Sequence, residues 1–297
     1  MVSRALVSRR AFLAGTAGLA VLGACGARGT TLERMRANGV ARVGISGERP
    51  YGYPGSDGSV TGEAPTVART VLAGMGVDGL EAVQVPFGTL LDGLLAGQFD
   101  LVAAGTTITP GRCARVAFSR PDFVAPVAFL VPAGNPRGIR TFDGVRRAGV
   151  PLGVLAGAAE QEYAQAAGIT DVRTYDGQST LFRAVRDGDV PVAALTRISL
   201  LDELARNPGT PLQVTPGIPV RENPDGTQVY PVGAFAFRPG NTDLLAAFDA
   251  GLTDLHTSGR WLDLVRPFGF GPDTAPPNAL TTADACAGRG LPASDRP

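Results

Sequence analysis

Two runs of short strands alternating with helices constrain this chain more than any other feature. In the first, residues 40–45 alternate and are β-branched, and residues 63–75 carry apolar side chains at helical spacing up to a stop at Gly76. Residues 80–85 then read as a strand, 90–96 as a helix and 101–104 as a strand. A brief helix over 32–38, ended by Gly39, precedes them. The second run reads as strand 152–155, helix 160–167 stopped at Gly168, strand 172–175, helix 179–186, strand 192–195 and helix 198–206. Such alternation with short connections predicts parallel sheets flanked by helices, and two sets predict two lobes. The proline-bounded segment 126–132 reads as a strand leaving the first lobe, and 232–237 as one returning to it. Residues 207–225 read as a Pro-rich loop and 242–259 as an amphipathic helix, with 261–270 completing the first lobe. From Gly271 on, Pro, Ala and Gly predict a loose tail unless Cys286 pins it. A chain of 297 residues is long enough for two lobes with sizeable cores.

Absences narrow the function. Basic and acidic residues balance at 27 each, so no charge excess points to nucleic acid or to a basic partner. Every basic residue is Arg. Without Lys there is no Walker A lysine, Schiff-base lysine or lysine general base. The only histidine, His256, rules out a multi-His metal site. Its position near the end of the 242–259 helix reads as a partly exposed helix histidine rather than a catalytic base.

The N-terminus reads as an address. Arg4, Arg9 and Arg10 precede an apolar run over 11–24 that is too short to span a bilayer, as in a signal peptide. Ser8-Arg9-Arg10-Ala11-Phe12-Leu13 resembles a twin-arginine export signal, the alternative being export by the general route. Leu22-Gly23-Ala24-Cys25 resembles a bacterial lipobox, with Cys25 as the lipidated first residue of the mature protein. That assignment leaves Cys113 and Cys286, which outside the cytoplasm are expected to pair. The alternative is a buried free Cys113 and a loose Cys286.

Chemistry concentrates in Ala103-Ala104-Gly105-Thr106-Thr107-Ile108-Thr109-Pro110-Gly111-Arg112. A strand ends in Gly and hydroxyls, Pro begins a helix, and Arg follows one turn in. Such a junction turns backbone N–H groups, hydroxyls and a guanidinium toward one point, which suits a carboxylate. In parallel α/β sheets ligands bind at the carboxyl ends of strands, where segments 46–53, 86–89 and 105–112 fall.

These residues resemble a known family, the extracytoplasmic solute-binding proteins of ABC importers of the polar amino-acid type. The likeness covers nearly all of 32–270. It is carried by Gly62-Glu63-Ala64-Pro65, Phe87-Gly88-Thr89-Leu90-Leu91-Asp92-Gly93-Leu94-Leu95-Ala96-Gly97, Phe99-Asp100, residues 107–113, Phe118-Ser119 and residues 233–238. Glu48-Arg49-Pro50-Tyr51-Gly52-Tyr53, Arg112-Cys113, Asp176-Gly177-Gln178-Ser179 and Pro267-Phe268-Gly269-Phe270 are most similar to its ectoine- and hydroxyectoine-binding members, which also carry a cysteine near the C-terminus. The resemblance implies a two-lobe α/β periplasmic-binding-protein fold of type II. Parallel-rich sheets would be joined by two hinge crossings and would close on a ligand. Taken with the N-terminal reading of a signal peptide at 1–24 and a lipidated tether at 25–31, the resemblance gives lobe 1 at 32–130 and 237–297, and lobe 2 at 131–236. It implies a monomer without catalysis, cofactor or metal. That monomer would be lipid-anchored outside the cytoplasmic membrane and would deliver a small zwitterion to permease subunits.

The resemblance also assigns roles. Arg112 matches the carboxylate-binding Arg, Glu48 the acid facing a ring amidinium, and Tyr51 and Phe87 the aromatic walls, where a desolvated cation gains about 2 kcal/mol. Gly105 and Thr107 line the same strand end, Thr107 standing where some members carry an aromatic or bulky residue. From lobe 2, Gly157 and Ala159 offer main chain only, because Ala158-Ala159 replace polar residues. Thr196 stands where binders of α-amino acids carry an Asp for the α-ammonium, and Asp176 and Glu160 are the acids that could substitute for it. Two other readings stay open, a polar amino-acid receptor and a dehydratase-like enzyme on the same fold.

Overall fold

The computed structural model describes residues 29–224 and 226–289. The signal, lipobox and Cys25 readings lie outside that range. Two sheets form two lobes. In the first, the strands Gly79–Gln84, Val40–Ile45 and Leu101–Thr107 run parallel, and Val232–Phe237 adds antiparallel to Leu101–Thr107. In the second, Val172–Tyr175, Leu152–Leu155 and Ala193–Thr196 are parallel, and Val127–Pro132 and Leu212–Val214 are antiparallel. The strands Leu152–Leu155, Ala193–Thr196 and Val232–Phe237 are buried at every residue, because helices cover both sheet faces and no alternation is needed.

The crossings fall earlier than the expected boundaries at 130/131 and 236/237. Val127–Pro132 pairs wholly within the second sheet and Val232–Phe237 wholly within the first, since each extended run finds its apolar neighbours only there. The crossings lie side by side, with the Ala125 N–H donating to the Pro231 carbonyl at 2.9 Å. Several elements go beyond the sequence reading, two of them within or beside the second lobe's sheet. Phe142–Ala148 is a helix, capped by Thr141 and ended by Gly149 in the left-handed region. Leu212–Val214, within the expected loop, is a sheet-edge strand. His256 is less exposed than expected. Its side chain is 8% exposed, stacks on Trp261 at 4.8 Å and bonds to Asp122.

The tail is held. Cys113 and Cys286 are disulfide-bonded with Cα atoms 5.9 Å apart. Leu280 is buried in the first lobe, and Thr282 donates to the Ser119 carbonyl at 2.8 Å. Among the described residues no helix is long and apolar enough to cross a membrane.

Candidate functional site

The cleft between the lobes gathers its side chains from strand ends and helix starts. Leu101–Thr107 ends at the cleft, and Thr109 caps the short helix Pro110–Cys113 by accepting the Arg112 amide N–H at 3.3 Å. The cap places Arg112 one turn in, only 7% exposed. Its Nη1 donates to the Thr107 carbonyl at 2.7 Å, and Nη2 reaches across the cleft to the Gly157 carbonyl at 2.9 Å. Arg112 forms no salt bridge among the described residues, so a surface ion pair does not explain it. Burial lowers its pKa, yet a guanidinium stays charged, and its five N–H donors exceed these two bonds. The Phe87 ring centroid lies 5.5 Å from the guanidinium carbon, which puts this aromatic beside the clamp.

Two buried carboxyls share this surrounding. Glu48 sits on a tight turn where its carbonyl accepts the Gly52 N–H at 2.9 Å, and it is 7% exposed. Burial first, then the charge of Glu160, push its carboxyl up to about 8, against the pull of Arg112. Glu160 lies in the first turn of the helix Ala159–Ala166, 3% exposed. Burial raises it to about 7, opposed by a hydrogen bond from its own amide and by Arg112. Both values follow from taking carboxylates out of water with one shared cation nearby.

Tyr51 belongs to the frame as much as to the cleft. Its ring stacks on Phe123 with centroids 5.2 Å apart and lies against Gly105. At Gly105, with φ +65°, a Cβ would come within 2.3 Å of that ring, so only glycine admits it. The Tyr51 hydroxyl donates across the cleft to Thr196 at 3.0 Å, and the Thr196 hydroxyl donates to Ser199 at 3.0 Å. Where an α-ammonium partner is expected, the hydroxyl is thus already engaged. The second lobe presses main chain against the first. At Gly157, with φ +74°, a Cβ would lie 2.5 Å from the Gly88 Cα. Ala159 is buried at the helix start and brings no polar side-chain atom. The Arg49 N–H also donates to Gln178 at 3.1 Å across the cleft, so the lobes are closed on one another.

The nine residues read from sequence, Glu48, Tyr51, Phe87, Gly105, Thr107, Arg112, Gly157, Ala159 and Thr196, all fall on elements that border this cleft. Glu160 joins them, whereas Asp176, the other acid weighed as a substitute, is exposed. Gln178 and Gly88 also belong to the closed contact. Their sequence signal was position alone, Glu160 standing three residues past a glycine that opens a helix. A cavity of about 340 Å³ opens beside Arg112, bordered by Phe87, Thr106, Arg115, Gly157 and Glu162; Glu48, Tyr51, Glu160 and Thr196 do not line it. A separate hollow of about 290 Å³, between Pro110, Tyr163, Tyr230 and the tail, contains none of Glu48, Tyr51, Arg112 or Thr196. Among the described residues no cluster of His, Cys, Asp and Glu could hold a metal.

The profile of the bacterial extracellular solute-binding proteins, family 3, matches residues 41–271. A probable amino-acid ABC transporter periplasmic-binding protein of Sinorhizobium fredii is 30% identical over 263 residues, covering 86% of each chain. The L-cystine-binding protein TcyJ of Escherichia coli is 30% identical over 234 residues, covering 77% of this chain and 82% of that one. A crystal structure of EhuB in complex with hydroxyectoine superposes with a TM-score of 0.78 at 29% identity, covering 87% of this chain and 98% of that chain. An ancestral amino-acid-binding protein, precursor of cyclohexadienyl dehydratase, shares the fold at 23% identity with a TM-score of 0.70.

Proposed function

The chain belongs to the bacterial extracellular solute-binding proteins of family 3 and serves an ABC importer of amino-acid-like solutes rather than catalysing a reaction; on that premise we propose that its ligand is ectoine or hydroxyectoine. The observation that carries this reading is one buried guanidinium, in no salt bridge among the described residues, within electrostatic reach of two buried carboxyls, Glu48 and Glu160. Arg112 takes the ligand carboxylate. Glu48 and Glu160 take the two N–H groups of a ring amidinium, one from each lobe. Tyr51 and Phe87 form the aromatic walls, with Phe87 nearer the carboxylate end. The hydroxyectoine bound to EhuB supports the ligand class.

A second reading has its own observation. Glu160 is buried at the cleft, where it could pair with an α-ammonium in place of the absent Asp at Thr196. That would make the ligand a polar amino acid, the class named for the relatives in Sinorhizobium fredii and Escherichia coli. A thermal-shift screen of ectoine, hydroxyectoine, proline, glycine betaine, cystine and the common amino acids separates the two, since a ligand raises native stability with the logarithm of its concentration over Kd. The first reading expects ectoine or hydroxyectoine to give the largest shift. A shift with an α-amino acid and none with either ectoine overturns it. The chain also anchors through lipid on Cys25. A Cys25→Ala variant then partitions into the soluble fraction, and unchanged membrane association refutes the anchor.

A further inference from the structure

Beneath the cleft lies a second group of buried acids that the ligand reading does not use. Glu63 opens the helix Glu63–Gly74 and is 0% exposed, and neither of its carboxyl oxygens accepts a hydrogen bond. Asp122, 1% exposed, uses only one oxygen. Its Oδ1 accepts from Trp261 Nε1 at 2.8 Å and meets His256 Nε2 at 3.2 Å, while Oδ2 has no partner. As two carboxylates, the pair would leave three buried oxygens unsatisfied beside like charges, an arrangement that burial strongly disfavours. One proton removes the like charge and satisfies two of the three, leaving only the neutral carbonyl oxygen of Glu63 without a partner. With its hydrogen on Glu63, the carboxyl donates to Asp122 and the two side chains close a single bond. Burial, then the Asp122 charge and the hydrogen bond to it, hold Glu63 well above the usual carboxylate range.

The bond joins segments that both hold Tyr51. On one side the Glu63 N–H donates to the Pro50 carbonyl at 2.9 Å and the Ala64 N–H to the Tyr51 carbonyl at 3.0 Å. On the other, Asp122 precedes Phe123, on which the Tyr51 ring stacks, and its N–H donates to the Gly233 carbonyl in the returning strand at 2.9 Å. The charged and titratable neighbours are few. Asp122 faces Glu63, His256 from the helix Thr242–Thr257 faces Asp122, and Tyr51 lies above. The nearby Arg120 guanidinium turns to Thr253.

We propose that Glu63 and Asp122 share one proton, and that this buried bridge positions Tyr51 by joining the Glu48–Gly52 turn to the segment entering the first hinge crossing. The bridge itself stands apart from the identity of the ligand; only its effect on affinity rests on the cleft being the binding site. Infrared difference spectra of the ligand-free protein at neutral pH test it. Glu63→Gln removes one protonated-carboxyl band, and Asp122→Asn shifts that band by changing its acceptor. A carboxyl spectrum unaltered in both variants overturns the bridge. Trp261, the only tryptophan, reports on the link to Asp122. Its emission is expected to stay at the wild-type wavelength in Glu63→Gln, whose amide can donate to Asp122, and to shift in Glu63→Ala. Equal emission in Glu63→Ala and wild type refutes the positioning role. For the solute found by the screen, Glu63→Ala weakens binding by about tenfold and Glu63→Gln by no more than about twofold. Equal losses refute positioning, whereas a screen without any binder counts against the ligand reading and leaves the spectroscopic result standing.

Discussion

The first lobe brings side chains to the cleft and the second brings mostly main chain. Glu48, Tyr51, Phe87 and Arg112 all come from the first lobe, on a turn, a short 3-10 segment and a helix start fixed by caps and by the disulfide at Cys113. The second lobe contributes the Gly157 carbonyl, the buried but apolar Ala159, the Thr196 hydroxyl and two acids, the buried Glu160 and the exposed Glu162 beside Arg112. A ligand would therefore gain most of its specific contacts on the first lobe, and closure of the second would add desolvation and a few bonds. Selection of ligand class and stabilisation of the closed form then rest on different halves of the protein.

The sharpest way to break this contrast is to remove the first lobe's cation. Arg112→Ala is expected to lower solute affinity by at least about a hundredfold, the scale of a buried charge left without its partner, roughly 3–5 kcal/mol. Calorimetry measures it, with circular dichroism to show that the fold persists. Unchanged affinity would remove the carboxylate clamp altogether.

Glu160→Gln asks whether the second lobe contributes charge. If its carboxylate pairs with the ligand cation, affinity falls by roughly tenfold or more. Tighter binding in this variant would mean that Glu160 repels, and that the first lobe alone selects the ligand. Gly157→Ala tests the main-chain contact. The added methyl meets Gly88 and the residue must keep a positive φ, so closure is disfavoured and affinity drops about tenfold in the same assay.

Titration sets both lobes against each other. In the ligand-free protein Glu48 and Glu160 have folded values near 8 and 7, above the ordinary carboxylate value. The folded state thus binds more protons than the unfolded one. Their contribution to stability is present at acid pH and is lost as pH rises through about 7 to 8. A cationic ligand group favours the ionised forms, so binding releases protons and affinity rises over the same window, approaching tenfold per pH unit for each proton released. Melting curves without ligand and calorimetry in buffers of differing ionisation enthalpy should therefore move in opposite directions. The smallest effect belongs to Thr196→Val. Losing the bond from Tyr51 costs about 1 kcal/mol, a few-fold in affinity, and a larger loss would make Thr196 a ligand contact in its own right.

Much of this could be read from the sequence because local signals agreed with the fold. The strand 40–45, the helix start at Glu63 and the strand–Pro–Arg junction at 101–112 each carry their own periodicity, cap or stop, and the structure keeps them within a residue or a few. The helix Phe142–Ala148 escaped because it is only two turns long, although Thr141 and Gly149 mark its ends. The edge strand Leu212–Val214 escaped because three residues among prolines show no alternation; they become a strand only by pairing with Val127–Pro132.

Residue types and spacing were therefore enough to determine two α/β lobes and an Arg at a strand-to-helix junction, and the single histidine to rule out a multi-His metal site. The tertiary structure alone decided which of the acids are buried and which face each other. Glu160 and Asp176 looked equivalent along the chain, yet one is buried at the cleft and the other exposed. Glu63 and Asp122, far apart in sequence, are both buried and near enough for the charge of one to act on the other. The physical reason is that a carboxyl's behaviour depends on its distance from water and from other charges. Those distances are set by long-range packing, whereas strands, helices and caps are set by near neighbours.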